Sequence, residues 1–274
     1  MTRLLPMINA DFLKLRKRRA LMVFALLLTV GSVIVINIFE IAYHASDPQR
    51  WGPAGGSASF THILNAFAIT GALSAVIVGA TAGAQDVGSG VFRSLVATGQ
   101  SRIKLALVRL PGALLVLLPM VAAAFGLEVI AAFVFADGAA TPDATTILVA
   151  AGWLLAVAVV NLTVGLGLAA LLKTRGIAIG ILIAWQLAAG RALLHFSQLG
   201  SARVLISSIA LDRFLPGATD TVTLGRSDVC TAPGVCSAVM DSITVSLAVA
   251  ALVVVAWMVV FTALGVWRTA TQDA

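Results

Sequence analysis

Charge is what this sequence has least of. Only 11% of its 274 residues are Asp, Glu, Lys or Arg, and 60% are hydrophobic; a soluble globular domain carries roughly a quarter charged residues. Charge is absent altogether from six stretches: Ala20–Phe39, Trp51–Gln85, Leu110–Leu127, Ala144–Leu172, Ile177–Gly190 and Ser242–Trp267. A helix needs about 20 mostly apolar residues to cross ~30 Å of hydrocarbon. Four of the stretches reach that length; the third does so with its flanks, and the fifth only if its helix continues through Arg191. A soluble enzyme or binding domain is thereby excluded, and an integral membrane protein is expected.

Other absences narrow the chemistry. There is no G-x-x-x-x-G-K-[ST] loop to cradle nucleotide phosphates, no H-E-x-x-H helix and no paired C-x-x-C. The three histidines, His44, His62 and His195, are scattered, without the spacing that gathers metal ligands, so no metal and no catalytic residue is expected. No regular ladder of intramembrane acids suggests a proton relay. Work on a solute would therefore draw its energy from another chain. The N-terminus lacks the small-residue cleavage site of a secretory signal peptide, and its apolar run is a full span.

What charge there is falls unevenly. With six spans and an inner N-terminus, the inner segments hold Arg3, Lys14, Arg16–Arg19, Arg93, Arg102, Lys104, Arg109, Lys173, Arg175 and Arg268, thirteen of the eighteen basic residues. Most acids, from Asp47 and Asp137 to Asp228 and Asp241, fall outside. Because Lys and Arg accumulate on the cytoplasmic side, both termini are expected there. The formal +6 charge then describes a positive inner face, with no nucleic acid as partner.

The expected fold is all-α: one transmembrane domain over 1–274, with spans at 20–43, 60–85, 105–135, 144–172, 176–199 and 242–267. Residues 1–19 place Leu4, Leu5, Ile8, Phe12 and Leu15 on one helical face opposite basic residues, the pattern of a helix lying in the headgroup layer. "GATAG" (Gly79–Gly83) has the small-x-x-x-small spacing that lets membrane helices approach. Residues 200–241 form an outer segment in which "RVLISSIALDRFL" is amphipathic, too charged to span and too apolar to float. It reads as a helix dipping into the outer leaflet or packed over the bundle. Cys230 and Cys236, in "CTAPGVC", lie in this outer part; a disulfide across the short loop and two free thiols are both open readings.

Three ionisable groups fall at the outer ends of spans: Glu40, Glu128 and Arg191. They could form a charged cluster in which Arg191 pairs with an acid, or each could extend separately to the headgroups. Asn161 and Gln186, deeper in, are expected to hydrogen-bond between helices.

Between the second and third spans lies "QDVGSGVFRSLVATGQSR". Phe92, Leu95, Val96, Gly99 and Ile103 recur at i, i+3, i+4, i+7 and i+11, with Arg93 and Arg102 facing elsewhere. Gly88 and Gly90 allow the chain to turn out of the membrane, and Asp86 or Ser89 can cap a helix. Residues 86–104 thus read as a short cytoplasmic helix, either a knob for a partner or an interfacial connector.

This order of segments resembles the permease subunit of a type-2 ATP-binding-cassette (ABC) transporter. That family shows an acid, a Gly, a Leu and a Ser-Arg pair after its second span, matched here by Asp86, Gly90, Leu95, Ser101 and Arg102. Asp86 stands where Glu is usual, and Gly99-Gln100 replace a proline region. "LAALLKTRGIAIGILIAW" (Leu168–Trp185) and "DRFLPGA" (Asp212–Ala218) resemble the family's turn between spans four and five and its outer re-entrant segment. The resemblance implies a bacterial plasma-membrane exporter of an amphiphilic or apolar substrate. It implies a second permease and surrounding lipid as neighbours, and a separate cytoplasmic ATPase that binds ATP and Mg, no cofactor being held in this chain. Residues 86–104 would be the coupling helix, with Phe92, Leu95 and Val96 in the ATPase cleft and Arg93 and Arg102 making polar contacts. The rival readings are a membrane anchor or immunity protein that recruits a cytoplasmic partner, a self-sufficient secondary transporter, and a lipid-modifying enzyme.

Overall fold

The computed structural model describes residues 4–88, 101–194, 197–232 and 235–271. The charge-free runs fold as long helices: α2 (Arg19–Ser46), α4 (Gly56–Gly88), α5 (Arg102–Val134), α6 (Ala144–Leu172) and α10 (Leu247–Thr271). These five are long and apolar enough to cross a membrane. A polar backbone group has no water partner in hydrocarbon, so closing every bond within a helix is the stable solution.

The expected fifth span is built differently. It runs as α7 (Arg175–Ala184), a π-helical turn (Trp185–Ala189) and α8 (Gly190–Leu194). Helix therefore continues over about 20 residues, or ~30 Å at 1.5 Å per residue, but its apolar part is shorter than the other five. A second π turn interrupts α2 at Leu27–Gly31. There Thr29 Oγ1 donates to the Ala25 carbonyl at 2.8 Å and Ser32 Oγ to the Leu28 carbonyl at 2.8 Å, offering the freed carbonyls side-chain partners.

Before α2, α1 (Leu4–Arg16) breaks at Lys17-Arg18 and lies against α5. The contact requires a glycine: a Cβ at Gly112 would come within 2.9 Å of the Asp11 Cβ. Leu15 is buried beneath α1, whereas Leu5, expected on the same apolar face but near the start of the helix, is exposed.

The bundle centres on α6. Cβ atoms at Gly79 and Gly83 of α4 would sit 2.2 and 2.3 Å from the carbonyl oxygens of Leu162 and Leu166, and one at Gly165 would sit 2.6 Å from that of Val76. The small-residue spacing in "GATAG" is thus the surface on which α4 and α6 meet backbone to backbone. On another side of α6, Gly167 faces the Phe261 carbonyl of α10, where a Cβ would come within 2.2 Å. Such contacts supply dispersion energy where lipid removes the hydrophobic drive between helices.

Two arginines of α5 bond to the ends of neighbouring helices. Arg102, in the first turn of α5, donates from Nη1 to the Ala270 carbonyl near the end of α10 at 3.2 Å. Arg109, only 3% exposed, donates from Nη1 to the Gly83 carbonyl of α4 at 3.2 Å. Cations beside these C-terminal turns complement the helix dipoles.

At the opposite end the chain departs from the expected all-helical architecture. A 3₁₀ stretch (Ser197–Leu205, kinked at Gly200) leads into the short α9 (Ser207–Asp212). An antiparallel hairpin follows, β1 (Thr221–Ala232) and β2 (Val235–Thr244), closed at its base by Val245 N–H to the Asp220 carbonyl at 2.7 Å. The last span consequently starts at Leu247 instead of 242. The loop between α2 and α4 contains the single turn α3 (Pro48–Trp51), capped by Asp47.

Candidate functional site

A cavity of about 410 Å³ opens between α4, α6, the π turn at Trp185–Ala189 and α9. Its sides are set by the bundle. His62 and Asn65 come from α4, Trp153 and Asn161 from α6, Trp185 and Gln186 from the π turn, and Ser207, Ser208 and Asp212 from α9. Polar side chains therefore face apolar and aromatic ones, as in a site that orients a partly apolar ligand by a few hydrogen bonds.

Its depth follows from helix rise. His62 is six residues from the N-terminal end of α4, ~9 Å, and Asn161 is 17 residues into α6, ~26 Å, past that helix's midpoint. At the deep end Gln186 Nε2 donates to Asn161 Oδ1, and Asn161 Nδ2 donates to the Val157 carbonyl at 2.8 Å. These amides bond between helices as expected from the sequence. They also line the cavity, which the sequence did not indicate.

Two tryptophans hold the outer segment down. Trp153 Nε1 donates to the Leu211 carbonyl of α9 at 2.9 Å, and Trp257 Nε1 to the Leu205 carbonyl at 2.9 Å. Ile209, Ala210 and Leu211 are buried, so α9 packs over the bundle. Arg213 follows at once: Nε donates to the Val245 carbonyl at 3.0 Å, Nη1 to the Ala218 carbonyl at 3.2 Å, and Nη2 to Asp220. "DRFLPGA" is in this way the joint between the cavity cover and the hairpin base, with Gly217 at φ 77° supplying the turn.

Of the expected outer charged cluster, the side chains of Glu40 and Glu128 are described. Glu40 accepts from or donates to His62 across 2.9 Å, and His62 lines the cavity. Glu128 is 1% exposed and accepts from Asn37 Nδ2 at 2.8 Å. Extension to the headgroups does not describe Glu128: it points into the bundle toward an amide of α2. The side chain of Arg191 lies outside the described residues. Asn37 was not singled out in the sequence, although it is the only amide in the first charge-free run.

At the end of the bundle that carries the hairpin, His44 bonds to the Gly52 carbonyl through Nδ1, and its Nε2 lies 3.6 Å from Asp137. It ties the loop between α2 and α4 to the loop between α5 and α6. Phe39, Tyr43 and Trp51 stack in sequence, with ring centroids 6.2 and 4.8 Å apart, and the Arg50 guanidinium lies over Trp51. Aromatic rings at this level suit the membrane–water boundary. Among the described residues no three His, Cys, Asp or Glu side chains gather as a metal would require.

Of the expected coupling segment, residues 89–100, and with them Gly90, Phe92, Arg93, Leu95 and Val96, lie outside the described residues. Its ends are continuous with the long helices: Asp86 falls within α4, Ser101 is the N-cap residue of α5, and Arg102 belongs to the first turn of α5. The strand register places Cys230 opposite Cys236; their side chains lie outside the description.

Compared with protein-family models and with curated proteins, the chain matched none.

Proposed function

We propose that this chain is the membrane-spanning permease subunit of an ATP-driven ABC transporter, an exporter of an amphiphilic or apolar substrate coupled to a separate cytoplasmic ATPase. The observation that carries the reading is the cavity: it starts under an anchored outer cover and stops past mid-membrane at the Asn161–Gln186 bond. A permease needs such a compartment, closed at one end, whose access a partner can switch. The resemblance in segment order supplies the engine. The segment Arg175–Leu194 serves as the fifth of six spans, so that both termini lie on the basic, cytoplasmic side of a bacterial plasma membrane.

In this account residues 86–104 dock in the ATPase cleft, with α1, braced on α5 at Gly112, packed beside them. The exposed apolar faces of α2 and α10, including Val23, Leu27, Leu252 and Val259, meet lipid or a second permease. Purification of the native complex in gentle detergent, with identification of every co-purifying chain, tests this. A stoichiometric protein carrying a nucleotide-binding P-loop is expected, and Phe92→Asp should abolish its association while leaving membrane insertion intact. Recovery of the chain alone contradicts the reading.

One observation favours the rival of a self-sufficient secondary transporter: Glu128 is an ionisable group buried within a span, where such residues commonly serve ion movement. Transport persisting in vesicles that contain this chain without any ATPase would decide for it.

A further inference from the structure

Glu128 and Asn37 pose a hydrogen-bond problem that their neighbours do not solve. They are 91 positions apart in sequence, on α5 and α2, and both are at least nine-tenths buried. Asn37 Nδ2 donates to Glu128 Oε2 at 2.8 Å and to the Val33 carbonyl at 3.0 Å. The other oxygen of each side chain, Asn37 Oδ1 and Glu128 Oε1, is buried with no partner. Both orphans are acceptors, and both belong to a pair that is already joined. A buried unpartnered acceptor is costly, and an uncompensated buried charge is more so.

Among the described residues no charged group compensates: no Lys or Arg pairs with Glu128. On α2 the nearest titratable group is Glu40, three residues beyond Asn37, and it is engaged by His62 of α4. Helix α6 contributes no titratable residue along its whole length, and the basic residues of α5 lie at its other end.

We propose that Glu128 and Asn37 form a proton-binding site. A single proton on Glu128 Oε1 turns that atom into a donor toward Asn37 Oδ1, while Asn37 Nδ2 continues to donate to Oε2. The result is a paired acid and amide with both orphan atoms satisfied and no net charge. A metal ion fits less well, because the amide already aims an N–H at the carboxyl, which repels a cation. The Glu40–His62 pair lies a turn further along α2, and His62 lines the cavity. The site does not depend on the transport reading: it joins the first span to the third in either case.

The test is infrared difference spectroscopy on the full chain in lipid vesicles, wild type against Glu128→Gln, at neutral pH in H₂O and D₂O. The expected result is a protonated-carboxyl C=O band that shifts in D₂O and is lost in Glu128→Gln. That variant should keep the wild-type thermal midpoint, because a Gln amide can donate to Asn37 Oδ1 and accept from Nδ2. Asn37→Leu should retain the band but move it to higher frequency as its hydrogen bond is lost; should Glu128→Gln not fold, this shift decides alone. Only ionised-carboxylate bands assigned to Glu128, a band unmoved by Asn37→Leu, or a band that responds to sodium or potassium at fixed pH would overturn the proposal.

Discussion

A Cβ on Gly79 would lie 2.2 Å from the Leu162 carbonyl oxygen, closer than any non-bonded contact allows. The two helices that form one side of the cavity therefore touch through their backbones, and their separation is set by the absence of a side chain. Gly79→Ala or Gly83→Ala must push α4 and α6 apart. By the usual cost of overpacking, each should lower stability by about 1–3 kcal/mol, read as a fall in thermal midpoint in detergent. Gly126→Ala and Gly152→Ala, where a Cβ meets nothing within 4 Å, are the controls and should be neutral or slightly stabilising.

Trp153→Phe removes the indole donor to Leu211 but keeps an aromatic wall. The lost hydrogen bond should cost about 1 kcal/mol, and the larger effect should be local. Loosening of α9 is measured by faster hydrogen exchange at Ile209–Leu211 than in the wild type. Trp257→Phe should act on the preceding segment around Leu205 and spare α9.

The start of α6 carries a pH signature. Hydrogen bonding from the Thr146 side chain, and then from its backbone amide at 3.0 Å, holds the Asp143 carboxyl below the usual carboxylate range. A carboxylate whose pKa is lower folded than unfolded adds stability that is complete above the unfolded value, about 4. That contribution disappears as pH falls through the folded value. Exchange at the Thr146 amide should therefore be slow at neutral pH and accelerate on acidification below about pH 4. In Asp143→Ala it should be fast throughout, after correction for intrinsic exchange.

Cys230 and Cys236 face each other in the hairpin register, and opposite residues of an antiparallel pair bring their Cβ atoms to about 4.5–5.5 Å, near what a disulfide needs. In an oxidising compartment they should be bridged. Alkylation without reductant should leave both unmodified, and alkylation after reduction should label both. Labelling of both before reduction would show free thiols.

Much of this architecture was legible in the sequence because membrane solvation is a one-dimensional constraint. A charge-free run long enough to span is helical whatever surrounds it, and Ala144–Leu172 keeps its expected limits. The glycine spacing at Gly79–Gly83 was readable for the same reason, since it lies on one helix face. The site was less legible because it depends on distant pairings. Nothing near Glu128 points to Asn37, 91 positions away, and Glu40 takes His62 across 22 positions. Residues 221–244 read only as part of an outer segment because, among the described residues, β1 and β2 pair only with each other. The cavity arises where α9 folds back over Trp153, a contact no local pattern encodes.

The most direct test of the central claim is the nucleotide dependence of access to the cavity. Asn65→Cys places a thiol on its outer wall; the purified complex with its ATPase, in vesicles, is exposed to a membrane-impermeant maleimide, and label on the residue 65 peptide is counted by mass spectrometry. The account predicts a labelling rate that changes at least several-fold between the nucleotide-free and ATP-trapped states, with Phe92→Asp abolishing the change. A rate indifferent to nucleotide, in a complex whose ATPase is bound and active, would contradict it.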